Sequence, residues 1–238
     1  MEFRNRMNIK KIKNLLSDKK AIIMGNGPSL SNVDLSLLQR SEIISFATNR
    51  LSLIYESTDW RPDFYCCFVS STPKEWQKSI SKACKSENTT CFVHERFSSF
   101  VENSENVNFI KNVFEHDRHG SIPKDLFDIS VEDTFLKSYT AVVPLYQLCF
   151  YMGFKQICIV GQDGYKGYGP DHFAKSYGQA SGNSMNPAKA RKINDRYTRL
   201  HKVIKNHAVK NDIQIYNLSK QSIIKEYEII ELDDFIRL

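Results

Sequence analysis

The chain has 238 residues, 41% of them hydrophobic and 25% charged, with 33 Lys and Arg against 27 Asp and Glu for a net charge of +6. A chain of this size and composition buries enough surface for a core of its own, which excludes intrinsic disorder and any need for disulfide staples. No basic–aromatic platform or nucleic-acid signature accompanies the mild basic excess, so nucleic acid is excluded as a partner; an anionic substrate or an anionic membrane surface is the matching expectation.

The opening MEFRNRMNIKKIK has no apolar signal core, and no run reaches the ~18 apolar residues that a membrane span needs. A cytoplasmic protein is expected. Lys10, Lys11, Lys13, Lys19 and Lys20, interleaved with Ile9, Ile12, Leu15 and Leu16, predict a short basic amphipathic helix, either solvated or in peripheral contact with the inner membrane. Apolar runs at 20–24, 42–48 and 63–70 predict three strands, and 73–85 a helix entered through Pro73. Strands are expected again at 89–94 and 107–111. The stretch 115–138 is polar, with Gly120 and Pro123, and reads as a lid. A long apolar helix follows from Tyr139 to Met152, with Gly153 as its C-cap. The β-branched run 156–160 is a strand. The Gly-, Ser-, Tyr- and Asn-rich residues 164–186 read as an active-site loop, 187–209 as a basic helix whose His201 and His207 are solvated, and 213–218 as the last strand.

Strands that are continuously apolar and alternate with helices predict an α/β fold, a mainly parallel sheet with helices on both faces, and one domain spanning 1–238. Ligands of such sheets bind beyond the carboxyl ends of the strands. The six cysteines form no CxxC pair and read as buried free thiols, with no zinc site.

Four constellations fall at those strand ends. Gly25-Asn26-Gly27-Pro28-Ser29-Leu30 follows the first strand; it is either a plain turn or a cradle whose amides and Ser29 hydroxyl hold a phosphate. Thr48-Asn49-Arg50 ends the second strand; Asn49 can read a base or ribose, and Arg50 can pair with a phosphate or carboxylate. In Gly161-Gln162-Asp163-Gly164-Tyr165, Asp163 can accept ribose hydroxyls, bind a metal or cap a turn, while Tyr165, Tyr168 and Tyr177 can donate to a leaving phosphate. Asp171-His172-Phe173 offers a general base in His172. His116 and His119 compete as a metal pair, with no third ligand evident. No GxSxG elbow and no Asp-x-Asp occur.

The run Ala21 to Leu30, the step Tyr139-Thr140 into the apolar helix, Gly153 to Tyr165, and Ile215 to Ser219 with Ser222 resemble the bacterial sialyltransferases of glycosyltransferase family 42, over about a third of the chain. The Gly-Asn-Gly-Pro-Ser-Leu opening also resembles the domain shared by flagellin-glycosylating motility factors and hydroxymethylpterin pyrophosphokinases, and Trp60-Arg61-Pro62-Asp63-Phe64-Tyr65 looks more like that second group. The resemblance implies a single Rossmann-like domain, a GT-A-like variant, that binds a CMP-activated acidic sugar. Gly25, Asn26, Gly27, Ser29, Asn49, Thr140 and Asp163 would hold the nucleotide, and Tyr165 and Tyr168 the leaving phosphate. The implied reaction moves sialic or a related ulosonic acid to a cell-surface glycan or glycolipid of lipopolysaccharide or capsule. It uses no cofactor and no metal, and is compatible with a homo-oligomer. The family's basic His falls where this chain has Asn194, Asp195 and Arg196, and its Arg before the Thr is Ser138 here, which leaves His172 as the candidate base. The alternative is a pyrophosphokinase using ATP and magnesium, with Asp163 and Asp171 as the carboxylate pair.

Overall fold

The computed structural model describes residues 8–115, 122–166, 170–177 and 186–238; the candidates His116, His119 and Tyr168 lie outside the described residues. The strands are β1 (Lys20–Met24), β2 (Ile44–Thr48), β3 (Phe64–Cys67), β4 (Thr90–His94), β5 (Val107–Ile110), β6 (Val113–Glu115), β7 (Phe135–Lys137), β8 (Gln156–Val160), β9 (Gln214–Asn217) and β10 (Glu228–Ile229). Eight form one sheet in the order β10-β9-β8-β1-β2-β3-β4-β5, and β6 pairs with β7 in a separate ribbon. Every neighbouring pair is parallel.

Side chains alternate across the sheet, and both faces are apolar. Ala21, Ile23, Phe46, Phe64, Ile157 and Ile159 point to one face and pack with α3 (Val143–Met152) and α4 (Pro187–Lys210). Ile22, Met24, Ala47, Tyr65, Cys158 and Val160 point to the other and pack with α1 (Leu35–Arg40), α2 (Lys74–Cys84) and α5 (Leu232–Arg237). Two-sided burial is why these strands read as unbroken apolar runs. α3 stops at Gly153, whose φ of +88° supplies the left-handed C-cap expected of it. Asn186 caps α4 by accepting from the Ala188 and Lys189 amides, with Pro187 in the first turn. All six cysteines are buried and free, and burial pushes the Cys66, Cys91 and Cys149 thiols up.

The chain runs outward from β1 through β2 to β5, then returns to lay β8 on the other side of β1. Strand order therefore reverses between β1 and β8, and the crevice beyond their carboxyl ends is the switch point of the sheet.

Three expectations need correction. The N-terminal lysines do not form an amphipathic helix: Ile9–Ile12 is one 3-10 turn, and Asn14 breaks it at φ +52°. Ile12 and Leu16 are buried, and the Asn14 and Leu16 amides donate to the Tyr151 and Met152 carbonyls at the end of α3. The described part of 115–138 is not a polar excursion, since Leu126, Phe127, Val131, Phe135 and Leu136 are buried. Buried Gln147 of α3 stitches it down, accepting from the Leu136 amide at 2.8 Å and donating to the Ile129 and Thr134 carbonyls at 3.0 Å. His201 is not solvated. It is 0% exposed, its Nδ1 lies 3.0 Å from the Tyr227 hydroxyl, and burial holds its pKa down to about 3. His207 is half-buried against Phe150 and sits 3.4 Å from Asp128. No helix among the described residues is long and apolar enough to cross a membrane.

Candidate functional site

The β1–β8 register sets Met24 beside Val160, so the turns at Gly25 and Gly161 leave the sheet side by side. They are locked together. Gly25 N donates to Val160 O and Gly27 N to Gly161 O, each at 2.8 Å. Ser29 N donates to Asp163 Oδ2 at 2.8 Å, and Gly161 N donates to Ser29 Oγ at 2.9 Å. The Ser219 hydroxyl donates to Asp163 Oδ1 at 2.7 Å. A Cβ on Gly25 would fall on the Gly161 carbonyl oxygen, and one on Gly27 would fall on the Asp163 carboxylate. These glycines exist because two backbones cross at contact distance. The expected phosphate cradle is thus not made by the Gly25, Gly27 and Ser29 amides, which protein acceptors already fill. Ser29 and Asp163 act as braces between the turns.

The open space lies beside the lock, over the ends of β1, β2 and β8. It is a cleft of about 110 Å3 lined by Asn26, Asn49, Thr140, Asp163, Tyr165 and His172 among others. Asn26 is 8% exposed. Its Nδ2 donates to the Thr48 carbonyl at 3.1 Å, which fixes the orientation of the amide, because a carbonyl can only accept. Its Oδ1 has no hydrogen-bond partner. A buried polar atom without a partner costs about 1–3 kcal/mol, so one on a residue that lines a cleft is a candidate acceptor for a ligand donor. Asn49 is left-handed, with φ +56°, and its carbonyl accepts from the Tyr65 hydroxyl at 2.6 Å. Asn tolerates that region better than other non-glycine residues, and such strain gathers at functional sites. Thr140 Oγ1 accepts from the Tyr197 hydroxyl at 3.0 Å. An adjoining cavity of about 260 Å3 shares Asn49, Tyr139, Thr140 and Ala141 with the cleft. It carries Lys137, which donates to Ser70 Oγ at 2.5 Å and to Glu115 Oε2 at 3.3 Å.

His172 reaches the cleft from the loop 170–177. Its ring stacks on Tyr177 with centroids 3.9 Å apart and 7° between planes, and its Nδ1 is buried without a partner. Burial, then the nearby Arg50 guanidinium, holds its pKa down to about 4. Arg50 does not face a ligand phosphate. It is 4% exposed, its Nε donates to Ser79 Oγ at 3.1 Å, and its Nη1 donates to the Ser176 carbonyl at 3.0 Å and to the Tyr177 carbonyl. The guanidinium also lies over the Trp76 and Tyr177 rings, so it pins the loop to α2. Tyr165 is clamped by Asn194, which donates to its carbonyl at 2.6 Å and accepts from its amide at 2.9 Å. Burial raises the Tyr165 phenol well above its ordinary value, so it stays protonated and can donate.

The motifs at the strand ends lead to Asn26, Asn49, Tyr165 and His172, the resemblance adds Thr140, and the structure brings all five to one cleft. Tyr197 was missed. Its signal was its place three residues before Leu200, on the inward face of a helix that reads as basic.

A larger cavity of about 730 Å3 lies on the other side of Asp163, between α1, the loop after β9 and α5. Its buried polar groups are matched, while Asn32 and Asp233 are exposed. Asp34 Oδ1 accepts from the Ser36 amide and hydroxyl, Lys166 donates to Gln221 at 2.9 Å, and Lys220 pairs with Glu231 at 2.5 Å. Of the buried polar atoms without a partner among the described residues, Asn26 Oδ1 and His172 Nδ1 belong to residues that line the smaller cleft, none belongs to a residue lining the larger cavity, and Tyr55 Oη and His201 Nε2 lie away from both; this decides which void is the better site. Among the described residues no group of three His, Cys, Asp or Glu is placed to hold a metal ion.

Comparison with known proteins agrees with the fold. A MAf glycosyltransferase from Magnetospirillum magneticum AMB-1 is 14% identical with a TM-score of 0.54, covering 92% of this chain and 34% of that one. This chain thus spans about a third of that protein's length. The Campylobacter jejuni sialyltransferase CstII, solved with cytidine-5'-monophosphate, is 16% identical with a TM-score of 0.46, covering 89% of this chain and 84% of that one. The alpha-2,3-sialyltransferase Cst-I from the same organism is 16% identical with a TM-score of 0.45, covering 90% and 81%. At these identities the MAf likeness shows a shared fold alone, and the other two lie too low to add to it. No curated protein matches. The family model described as 6-hydroxymethylpterin diphosphokinase MptE-like matches residues 2–166, from before β1 to beyond β8, so the chain belongs to the MptE-like family.

Proposed function

We propose that the chain is a glycosyltransferase whose cleft holds the nucleotide of a CMP-activated acidic sugar and passes the sugar to a glycan acceptor without a metal. The observation that carries this reading is the buried Asn26 Oδ1. Its amide nitrogen is committed to Thr48, so the cleft offers an acceptor and demands a donor. A cytosine amino group or a ribose hydroxyl meets it; a uracil O4 does not. In the adjoining cavity Lys137 is paired with Glu115, so an anionic sugar would bind there by taking Lys137 from that carboxylate. His172 is neutral at pH 7, and its unpartnered Nδ1 can accept the proton of the acceptor hydroxyl as that oxygen attacks the anomeric carbon. The bond from that carbon to the phosphate oxygen breaks with its electron pair on the phosphate, and Tyr165 donates to the departing CMP.

The test is release of CMP from CMP-activated sugars, with acceptor present and EDTA added. Turnover should survive the chelator and fall about 10²–10⁴-fold in His172→Ala. With a base held near pKa 4, turnover should stay level as pH drops from 7 to 5. No CMP release from any acidic sugar nucleotide contradicts the reading.

The family description favours a second reading, transfer of pyrophosphate from ATP with magnesium. That chemistry needs carboxylates around the ion, and Asp163 accepts one bond on each oxygen, from Ser29 and from Ser219, which leaves each oxygen one lone pair for an ion. AMP formed from ATP and a hydroxymethylpterin, abolished by EDTA, would establish it in place of the first.

A further inference from the structure

The positive charge of this protein is not spread over its surface. α4 holds eight Lys and Arg against one acid, Asp195, a net +7 in a chain of net +6, so the 214 residues outside the helix sum to −1. The charge is also sorted by face. Ala190, Leu200, His201, Ile204 and Ala208 are buried against the sheet, while Lys189, Arg191, Lys192, Arg199, Lys202 and Lys205 are exposed. Lys192, Arg199 and Lys202 fall on one helical stripe at the three-to-four spacing, with the exposed Asp195 on the same stripe.

These six cations make no ion pair among the described residues. The helix's pairs run from His207 and Lys210 to Asp128, at its C-terminal end. Some lysines elsewhere are matched, as Lys19 is with Glu42, Lys82 with Glu56 and Lys220 with Glu231, while Lys74, Lys78 and Lys85 are exposed without an ion pair among the described residues but stand on a segment that also carries Glu75. The N-terminal lysine run is a smaller surface: Lys20 donates to the Phe235 and Ile236 carbonyls, Lys19 pairs with Glu42 and Lys13 lies 4.0 Å from Glu132, which leaves Lys10 and Lys11 exposed and unpaired among the described residues.

We propose that the outward face of α4 docks the protein on an anionic lipid surface through headgroup contacts alone. From Lys189 to Lys205 the charges run along about 24 Å of straight helix, a shape that fits a flat surface. The apolar face of α4 is already spent on the core, and the exposed large apolar residue on the helix is Val209, at 71%. Insertion among acyl chains is therefore not available, and attraction must be electrostatic. No aromatic side chain is exposed on the helix to stack on bases, which sets a lipid surface ahead of RNA. The N-terminal half of α4 carries the Asn194 clamp on Tyr165, so a surface bound along the helix lies next to the cleft. The proposal does not depend on which reaction the cleft performs.

Vesicle co-sedimentation tests it with the full chain. Vesicles rich in phosphatidylglycerol should capture the protein and pure phosphatidylcholine vesicles should not. Raising salt from about 0.1 to about 0.5 M should release it, because the screening length shortens. The variant Lys192→Glu, Arg199→Glu, Lys202→Glu should bind at least about 100-fold more weakly, with unchanged circular dichroism. Lys74→Glu, Lys78→Glu, Lys85→Glu, on α2 and its C-cap, makes the same change in net charge and should bind as the parent does. Failure of phosphatidylglycerol vesicles to capture the parent, equal capture by phosphatidylcholine, equal losses in the two variants, or tighter binding to an RNA oligonucleotide at matched phosphate would each overturn the proposal.

Discussion

Two voids share the wall at Asp163, and they differ in a way that volume does not capture. The larger, of about 730 Å3, is lined by Asp34, Lys166 and Lys220, which already have partners within the protein, and among the described residues it holds no buried polar atom without one. The smaller, of about 110 Å3, holds a buried Asn26 oxygen and a buried His172 nitrogen with none. A folded chain leaves few polar atoms in that state, because each costs free energy. The comparison teaches that unmet hydrogen bonds, rather than empty space, separate a site from a gap between elements. It also separates two kinds of residue in one motif: Gly25, Gly27 and Ser29 close the turns on each other, while Asn26 lines the cleft with an unmet acceptor.

The comparison breaks first at the wall. Asp163→Ala leaves the Ser29 amide and the Ser219 hydroxyl buried without acceptors, and should lower unfolding free energy by about 3–5 kcal/mol in a urea titration. A variant as stable as the parent but unable to bind nucleotide would make Asp163 a ligand contact instead of a brace. Next, Asn26→Ala should weaken CMP binding about 10–100-fold in calorimetry while changing stability by less than about 1 kcal/mol, since it removes an unmet acceptor along with the bond to Thr48. Unaltered affinity would move the site elsewhere.

Acid sharpens the contrast between buried and exposed groups. The folded-state pKa of His201 is about 3, below the ~6.5 of an unfolded chain, so the unfolded state binds the extra proton. The His201 contribution is complete above pH 6.5 and is lost as pH falls toward 3. Between pH 7 and 5 that loss is on the order of 2 kcal/mol. His201→Phe should flatten the dependence of urea stability on pH by about that much, and an unaltered slope would contradict the burial. The smallest effect belongs to the larger void. Lys220→Ala should leave CMP affinity unchanged and stability within about 0.5 kcal/mol, because its pair with Glu231 is exposed. A loss of CMP binding in that variant would reverse the ranking of the two voids.

The sheet was legible because its strands are buried on both faces, which writes unbroken apolar runs such as Ala21 to Met24 into the chain. Gly153 was legible because a left-handed cap is a local demand. The role of Gly25 was not, since the backbone that forbids its Cβ belongs to Gly161, on a turn that follows β8 rather than β1. Arg50 sits beside Asn49 and looks like a ligand for the same reasons of charge. Only the fold brings the Ser176 and Tyr177 carbonyls to it. The stretch 122–138 reads as polar because the side chain that holds it down, Gln147, comes from the following helix. His201 had a visible signal, the inward spacing with Leu200, Ile204 and Ala208, but the basic residues between them masked it.

A crystal structure with bound CMP addresses the central claim most directly. The account predicts an amino or hydroxyl donor of the nucleotide within hydrogen-bond distance of Asn26 Oδ1, over the ends of β1 and β2, with the Gly25–Gly161 lock unchanged. CMP lodged beside Lys166 and Lys220, with the Asn26 oxygen still unmet, would contradict it.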